Sequence, residues 1–220
     1  DVPREKVEMM IRNTIGRLPA GTYAWAMPDT LTTQQADVAI ERRNLPTNYL
    51  QGYFAGPPAN SPDVPALRVA AAVLSGRLFT EIRSKRNLTY AVSANLRDRG
   101  LTSMGLYVTT TSPDTTIALM KTEVRAMQGL QIETELLRPL VQQFITEYFL
   151  DNETITAQAD FLARAQLYRG DFHAGEHFVA DLRAVTGADV QRVARRYLKN
   201  VRWAYVGDPT RVRRDRMLAF

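Results

Sequence analysis

Hydrophobic and polar positions form two kinds of pattern between residues 37 and 208. Short, mostly apolar segments bounded by Gly, Pro, Asn or Asp predict strands, and longer segments with apolar residues three and four apart predict helices. The predicted strands lie at 38–42, 49–55, 89–96, 101–109 and 201–206. The predicted helices lie at 64–74, from 77 to about 86, from 113 onward, and at about 134–150, 154–168 and 186–198. This order predicts an α+β domain with an antiparallel sheet and helices packed on one face.

Three local signals set the expected boundaries of these elements. Gly56-Pro57-Pro58 should end the second strand, and Ser75-Gly76 should break the helix that follows it. Arg97-Asp98-Arg99-Gly100 lies between two strand-like segments and predicts a hairpin with Gly in its turn.

The first 36 residues have a different character. Residues 3–17 carry apolar side chains at helical spacing and predict a short amphipathic helix, and the stretch after it to Gln35 reads as a linker. A lone helix ahead of a linker has nothing of its own to pack on. We therefore expect residues 1–36 to be the remnant of a preceding unit, residues 37–208 to form one αβ domain, and residues 209–220 to form a basic tail.

Composition narrows the chemistry available to the chain. Of its 220 residues, 45% are hydrophobic and 23% charged, as in ordinary globular proteins. The chain has no cysteine, so disulfides, thiol nucleophiles and cysteine-bound zinc are excluded. No apolar run approaches the roughly 18 residues that span a bilayer. Phosphate-binding glycine loops and the G-x-S-x-G nucleophile motif do not occur in the sequence either.

The net charge of +5 is concentrated near the C-terminus. The basic residues there are Arg192, Arg195, Arg196, Lys199, Arg202, Arg211, Arg213, Arg214 and Arg216. No aromatic residues interleave with the tail arginines to form a platform for stacked bases. We therefore predict a solvated helix face and a frayed terminus, and no nucleic-acid partner.

One segment carries a recognisable arrangement of residues. Residues 75–93, SGRLFTEIRSKRNLTYAVS, predict a helix that ends near Arg83, a short loop, and Tyr90 at the start of a strand, seven residues after the arginine. The segment resembles a signature of the M16 (pitrilysin/insulinase) metallopeptidases, in the half that does not bind zinc. Residues 185–198 are similar to the closing helix of that half, and residues 16–21 to the end of the preceding half. Asn87 stands where the family commonly has Gly, and Asn tolerates the left-handed conformation that such a loop needs.

The resemblance implies a LuxS/MPP-like metallohydrolase half-unit that binds an extended peptide. In this family an N-terminal half binds zinc through H-x-x-E-H and a later Glu, and the C-terminal half supplies an Arg/Tyr pair. The resemblance therefore assigns Arg83 and Tyr90 to substrate carbonyl binding, with Tyr90 supporting the oxyanion. Both side chains are suitable donors for the negative charge that attack by a zinc-bound water creates. The plain structural alternative makes Arg83 a helix C-terminal cation and Tyr90 a half-buried strand aromatic.

The chain contains an H-x-x-E-H sequence of its own, formed by His173, Glu176 and His177. On a helix the two histidines would share a face and could bind zinc. Residues 178–220 contain no Glu to serve as third ligand, and Gly175 weakens a helix there. The segment also lies just before the closing helix, whereas the family's zinc helix lies near the start of the other half. We therefore expect surface histidines in a loop or helix start.

Three functional hypotheses follow. The first is the substrate-binding half of a zinc peptidase, with no cofactor and no catalytic residue of its own. It would be inactive without an H-x-x-E-H half, which lies in the same polypeptide or in a partner subunit and carries the zinc. The second is a non-catalytic scaffold or assembly subunit of the same fold, and the third is an independent zinc hydrolase that uses His173, Glu176 and His177. The bacterial periplasm is the working guess for the compartment.

Overall fold

The computed structural model describes residues 2–22 and 35–220. Within these residues the chain forms five strands: β1 Asp37–Arg42, β2 Asn48–Pro58, β3 Val92–Arg97, β4 Leu101–Thr110 and β5 Arg202–Gly207. The α-helices of the described residues are α1 Arg4–Asn13, α2 Val64–Leu78, α3 Pro113–Gly129, α4 Arg138–Asp151, α5 Ile155–Arg169, α6 Phe178–Arg183, α7 Gly187–Tyr197 and α8 Arg214–Leu218. A π-helical turn, Phe79–Ser84, extends α2.

The five strands form one sheet in the order β1-β5-β2-β4-β3. Three of its four pairings are antiparallel, and the predicted hairpin joins β3 to β4. The pairing of β1 with β5 is parallel. Because β1 and β2 run in opposite directions, a strand inserted between them must be parallel to one of the two. The predicted α+β class is confirmed, and the sheet is mixed at this one edge.

The core lies between the sheet and helices α2, α3 and α7. On β2, Leu50 and Phe54 are fully buried, whereas Tyr49, directly before Leu50, is 43% exposed. This alternation is typical of a strand with one covered face. Helix α2 is apolar on most sides, as predicted, and Leu67 and Leu74 are fully buried in the same cluster.

The two predicted breaks in this region are wrong. Helix α2 continues through Gly76 to Leu78, since Leu78 and Ile82 are both fully buried and their burial outweighs the roughly 1 kcal/mol that a helical Gly costs. Strand β2 continues to Pro58, because a register shift between Ala55 and Pro58 accommodates the prolines.

A buried carboxylate connects the start of α2 to α7. Asp63, 5% exposed, accepts hydrogen bonds from Arg192, from Arg196 at 3.1 Å and from the Tyr197 hydroxyl at 2.7 Å. Burial opposes the charged form of Asp63, but the bonds from Tyr197 and Arg192 outweigh it and lower the pKa of this carboxyl. The predicted solvated face of α7 is therefore partly engaged in the fold.

The two ends of the chain differ in how they pack. The predicted N-terminal helix is confirmed at 4–13, and Met10 and Ile11 on its apolar stripe are 55% and 50% exposed. Most of the predicted linker, residues 23–34, lies outside the described residues. The predicted frayed C-terminus is wrong, because Val212 and Met217 lie among the arginines and are buried. No helix in the described part of the chain is long and apolar enough to span a membrane.

Candidate functional site

The residues singled out by the Arg/Tyr pattern lie where α2 ends and β3 begins. Arg83 lies in the π-helical turn. This conformation is rare in proteins, and where it occurs it is often at a functional site. Ile82 is fully buried and holds the turn against the core. Asn87, in the loop that follows the turn, has φ at 51°. This left-handed residue lets the N–H of Leu88 reach the Ile82 carbonyl at 3.0 Å. The left-handed conformation predicted for Asn87 is confirmed.

The position of Tyr90 is set by its neighbour Thr89, which is 8% exposed. The Thr89 hydroxyl donates to the carbonyl of Thr109 on β4 and accepts from the N–H of Ala91 at 3.0 Å. The Thr110 hydroxyl donates to the Leu88 carbonyl at 2.8 Å. The backbone on both sides of Tyr90 is thereby fixed to β4, while the Tyr90 side chain points outward and is 81% exposed.

The structure brings Arg83 and Tyr90 together. The Arg83 guanidinium carbon lies 4.5 Å from the centre of the Tyr90 ring and 4.9 Å from the centre of the Phe79 ring. Both distances are within the range of cation–π contacts. Since Tyr90 is largely exposed, the expectation of a half-buried strand aromatic does not hold.

Sequence reasoning missed Phe79, which is 45% exposed. It precedes Arg83 by four residues and therefore shares a helix face with it. The available signal was a large apolar residue outside the buried stripe formed by Leu74, Leu78 and Ile82.

The Arg83 side chain has no carboxylate partner among the described residues. The carboxylate nearest to it in sequence is Glu81, and residues two apart do not face each other on a helix. Glu81 bonds instead to Lys85 and to Arg86 at 2.7 Å, and these hydrogen bonds lower the pKa of its carboxyl. The turn therefore presents a net positive, partly exposed surface, and no acceptor within residues 2–22 and 35–220 engages the N–H donors of Arg83.

The H-x-x-E-H segment does not form the arrangement that zinc requires. Phe172–Gly175 is a 3₁₀ turn and α6 begins only at Phe178, so His173 and His177 do not share an α-helical face. Instead, His173 Nδ1 and Glu176 Oε1 are 2.7 Å apart on the surface. This contact raises the pKa of His173. The described residues contain no group of three His, Cys, Asp or Glu side chains that could hold a metal ion.

The site thus lies on an α+β domain with a single five-stranded sheet, and Arg83 and Tyr90 meet beside its edge strand β3. The sequence matches the family model described as the Peptidase M16 inactive domain over residues 1–144. The chain belongs to this family.

Solved structures show the same fold. The M16 inactive domain of Pseudomonas fluorescens matches with a TM-score of 0.81 at 17% identity, over 94% of this chain and 52% of that one. A protease from Helicobacter pylori matches with a TM-score of 0.79 at 14% identity, over 94% and 53%. The periplasmic protease PqqL of Escherichia coli matches with a TM-score of 0.76 at 18% identity, over 94% and 24%.

These matches limit what the chain represents. The chain spans about half of the first two structures and 24% of the third. No curated protein matches the sequence significantly. The chain is therefore a member of the M16 inactive-domain family with the fold of these solved structures.

Proposed function

We propose that this chain is the substrate-binding half of a zinc-dependent M16 peptidase, in which Arg83 and Tyr90 bind carbonyl groups of an extended peptide. The zinc and its ligands belong to an H-x-x-E-H half, in the same polypeptide or in a partner subunit. In this proposal the chain is inactive without that half, which supplies both the zinc and the group that activates water.

One observation carries this proposal: Arg83 and Tyr90 touch each other at the surface of the protein. The Tyr90 side chain is 81% exposed, and Arg83 has no acidic partner in the described residues. A guanidinium with unengaged N–H donors beside a phenol hydroxyl offers fixed donors to oxygen atoms. This pair suits both a peptide carbonyl and the oxyanion that forms from it.

The two side chains have different parts in this chemistry. Arg83 orients the peptide by donating its guanidinium N–H groups to a carbonyl oxygen. Tyr90 donates its O–H to the oxygen on which negative charge develops. Because that charge exists only in the transition state, the loss of this bond lowers kcat more than it raises KM.

The test is peptide cleavage by the complete zinc-containing enzyme with Tyr90→Phe or Arg83→Met. We expect Tyr90→Phe to lower kcat by on the order of 100-fold, as removal of one oxyanion donor does elsewhere. Tyr168→Phe on α5 and Arg99→Met in the hairpin turn are matched controls, and both should leave turnover unchanged.

The result that contradicts the proposal is unchanged turnover in both Tyr90→Phe and Arg83→Met. If the halves associate but the unmodified assembly cleaves no peptide, the chain is a scaffold subunit. An independent zinc hydrolase would instead require stoichiometric zinc on the isolated chain, lost in His173→Ala.

A further inference from the structure

We propose that Phe79 is a positioning residue that holds the Arg83 guanidinium in place for the substrate. This inference rests on the proposed function, and it adds a residue that the Arg/Tyr pattern does not contain. The guanidinium lies over two rings at 4.9 and 4.5 Å, from Phe79 on its own helix and from Tyr90 across the loop.

Phe79 is not needed by the core. Leu78 and Ile82, its neighbours on the buried side of the turn, are fully buried, whereas 45% of Phe79 is exposed. A large apolar side chain at this exposure gains little from the interior of the protein. Within the described residues, the Phe79 ring makes a cation–π contact with the Arg83 guanidinium.

Stacking is a suitable way to hold this arginine. A carboxylate partner would fix Arg83 equally well, but it would occupy the N–H donors that a peptide oxygen needs. A ring face attracts the cation and leaves those donors available. The carboxylate of Glu81 is meanwhile bonded to Lys85 and Arg86. The turn therefore orders the guanidinium in advance without neutralising it.

A double-mutant cycle in the complete peptidase tests this role. One exposed cation–π contact corresponds to about a two- to fivefold change, so we expect Phe79→Leu to lower kcat/KM by that factor. In the Arg83→Met background the same substitution should have no further effect, because the side chain that Phe79 positions is gone. Phe79→Trp, which keeps an aromatic face, should retain the wild-type value.

The outcomes separate this inference from the proposed function. If Arg83→Met has no effect on cleavage, this inference fails, and the proposed function fails with it only when Tyr90→Phe is also without effect. If Arg83→Met is damaging but Phe79→Leu costs the same in both backgrounds, or nothing in either, Phe79 has only a packing role and this inference alone is overturned. Should Phe79→Leu reduce the yield of folded enzyme, Phe79→Met serves in the same cycle.

Discussion

Thr89 is the residue through which β4 fixes the backbone beside Tyr90, and Thr89→Val isolates that contribution. Valine keeps the branched shape but removes the hydroxyl that donates to the Thr109 carbonyl and accepts from the Ala91 N–H. Thr89 is 8% exposed, so water replaces these bonds poorly. Losing a buried bond and leaving an N–H unpaired costs about 1–3 kcal/mol, which is the expected fall in the free energy of unfolding.

The same substitution should act on turnover as well as on stability. Under the proposed function, a displacement of Tyr90 by a fraction of an ångström would weaken its bond to the developing oxyanion, and we expect kcat to fall about ten- to a hundredfold. Urea unfolding of the chain and cleavage kinetics of the complete enzyme measure the two effects. Thr89→Ser keeps the hydroxyl and is the matched control. If Thr89→Val loses stability by this amount while kcat stays at the wild-type value, the position of Tyr90 does not matter to the reaction.

Two further predictions concern the stability of the fold. In the folded protein the pKa of Asp63 is lowered, so its charge contributes stability above its unfolded pKa of about 4, and this is lost as pH falls through the folded pKa. Asp63→Asn should therefore cost about 1.5–3 kcal/mol in urea unfolding at pH 7 and clearly less near pH 3, and an equal loss at both pH values contradicts the reasoning. Met217 is fully buried, and Met217→Ala should cost about 2–5 kcal/mol in the same assay, whereas a frayed tail would lose less than about 0.5 kcal/mol.

The local parts of the fold could be read from the sequence. Helices α3 and α7 and the β3–β4 hairpin follow from periodicity and turn residues close together in the chain. The Thr186 capping box, in which the hydroxyl accepts from the Asp189 N–H, starts α7 at Gly187, next to the predicted start at residue 186.

Features that depend on distant contacts could not be read in this way. The insertion of β5 between β1 and β2 joins residues about 165 positions apart, such as Asp37 and Arg202, and no local pattern specifies it. Gly76 signals a break, but the packing of α2 overrides that preference. Val212 and Met217 lie among the tail arginines, so the sequence pattern did not predict their burial. That burial depends on the surface formed by β1 and α3.

The candidate site shows the same division. The spacing of Arg83 and Tyr90 and the left-handed conformation of Asn87 could be predicted, because they depend on residues close together in the chain. The participation of Phe79 depends on the π-helical turn, which sequence periodicity does not reveal. The exposure of the Tyr90 side chain likewise could not be predicted, because it depends on which residues surround it in the folded protein.

The most direct test is a crystal structure of the complete peptidase with a peptide bound and the general base of its zinc half inactivated. We expect peptide oxygen atoms within about 3 Å of the Tyr90 hydroxyl and of an Arg83 nitrogen, with the zinc on the other half. A peptide that binds elsewhere, or a docked half that covers Arg83 and Tyr90 and shuts them off from the cleft, would contradict the account.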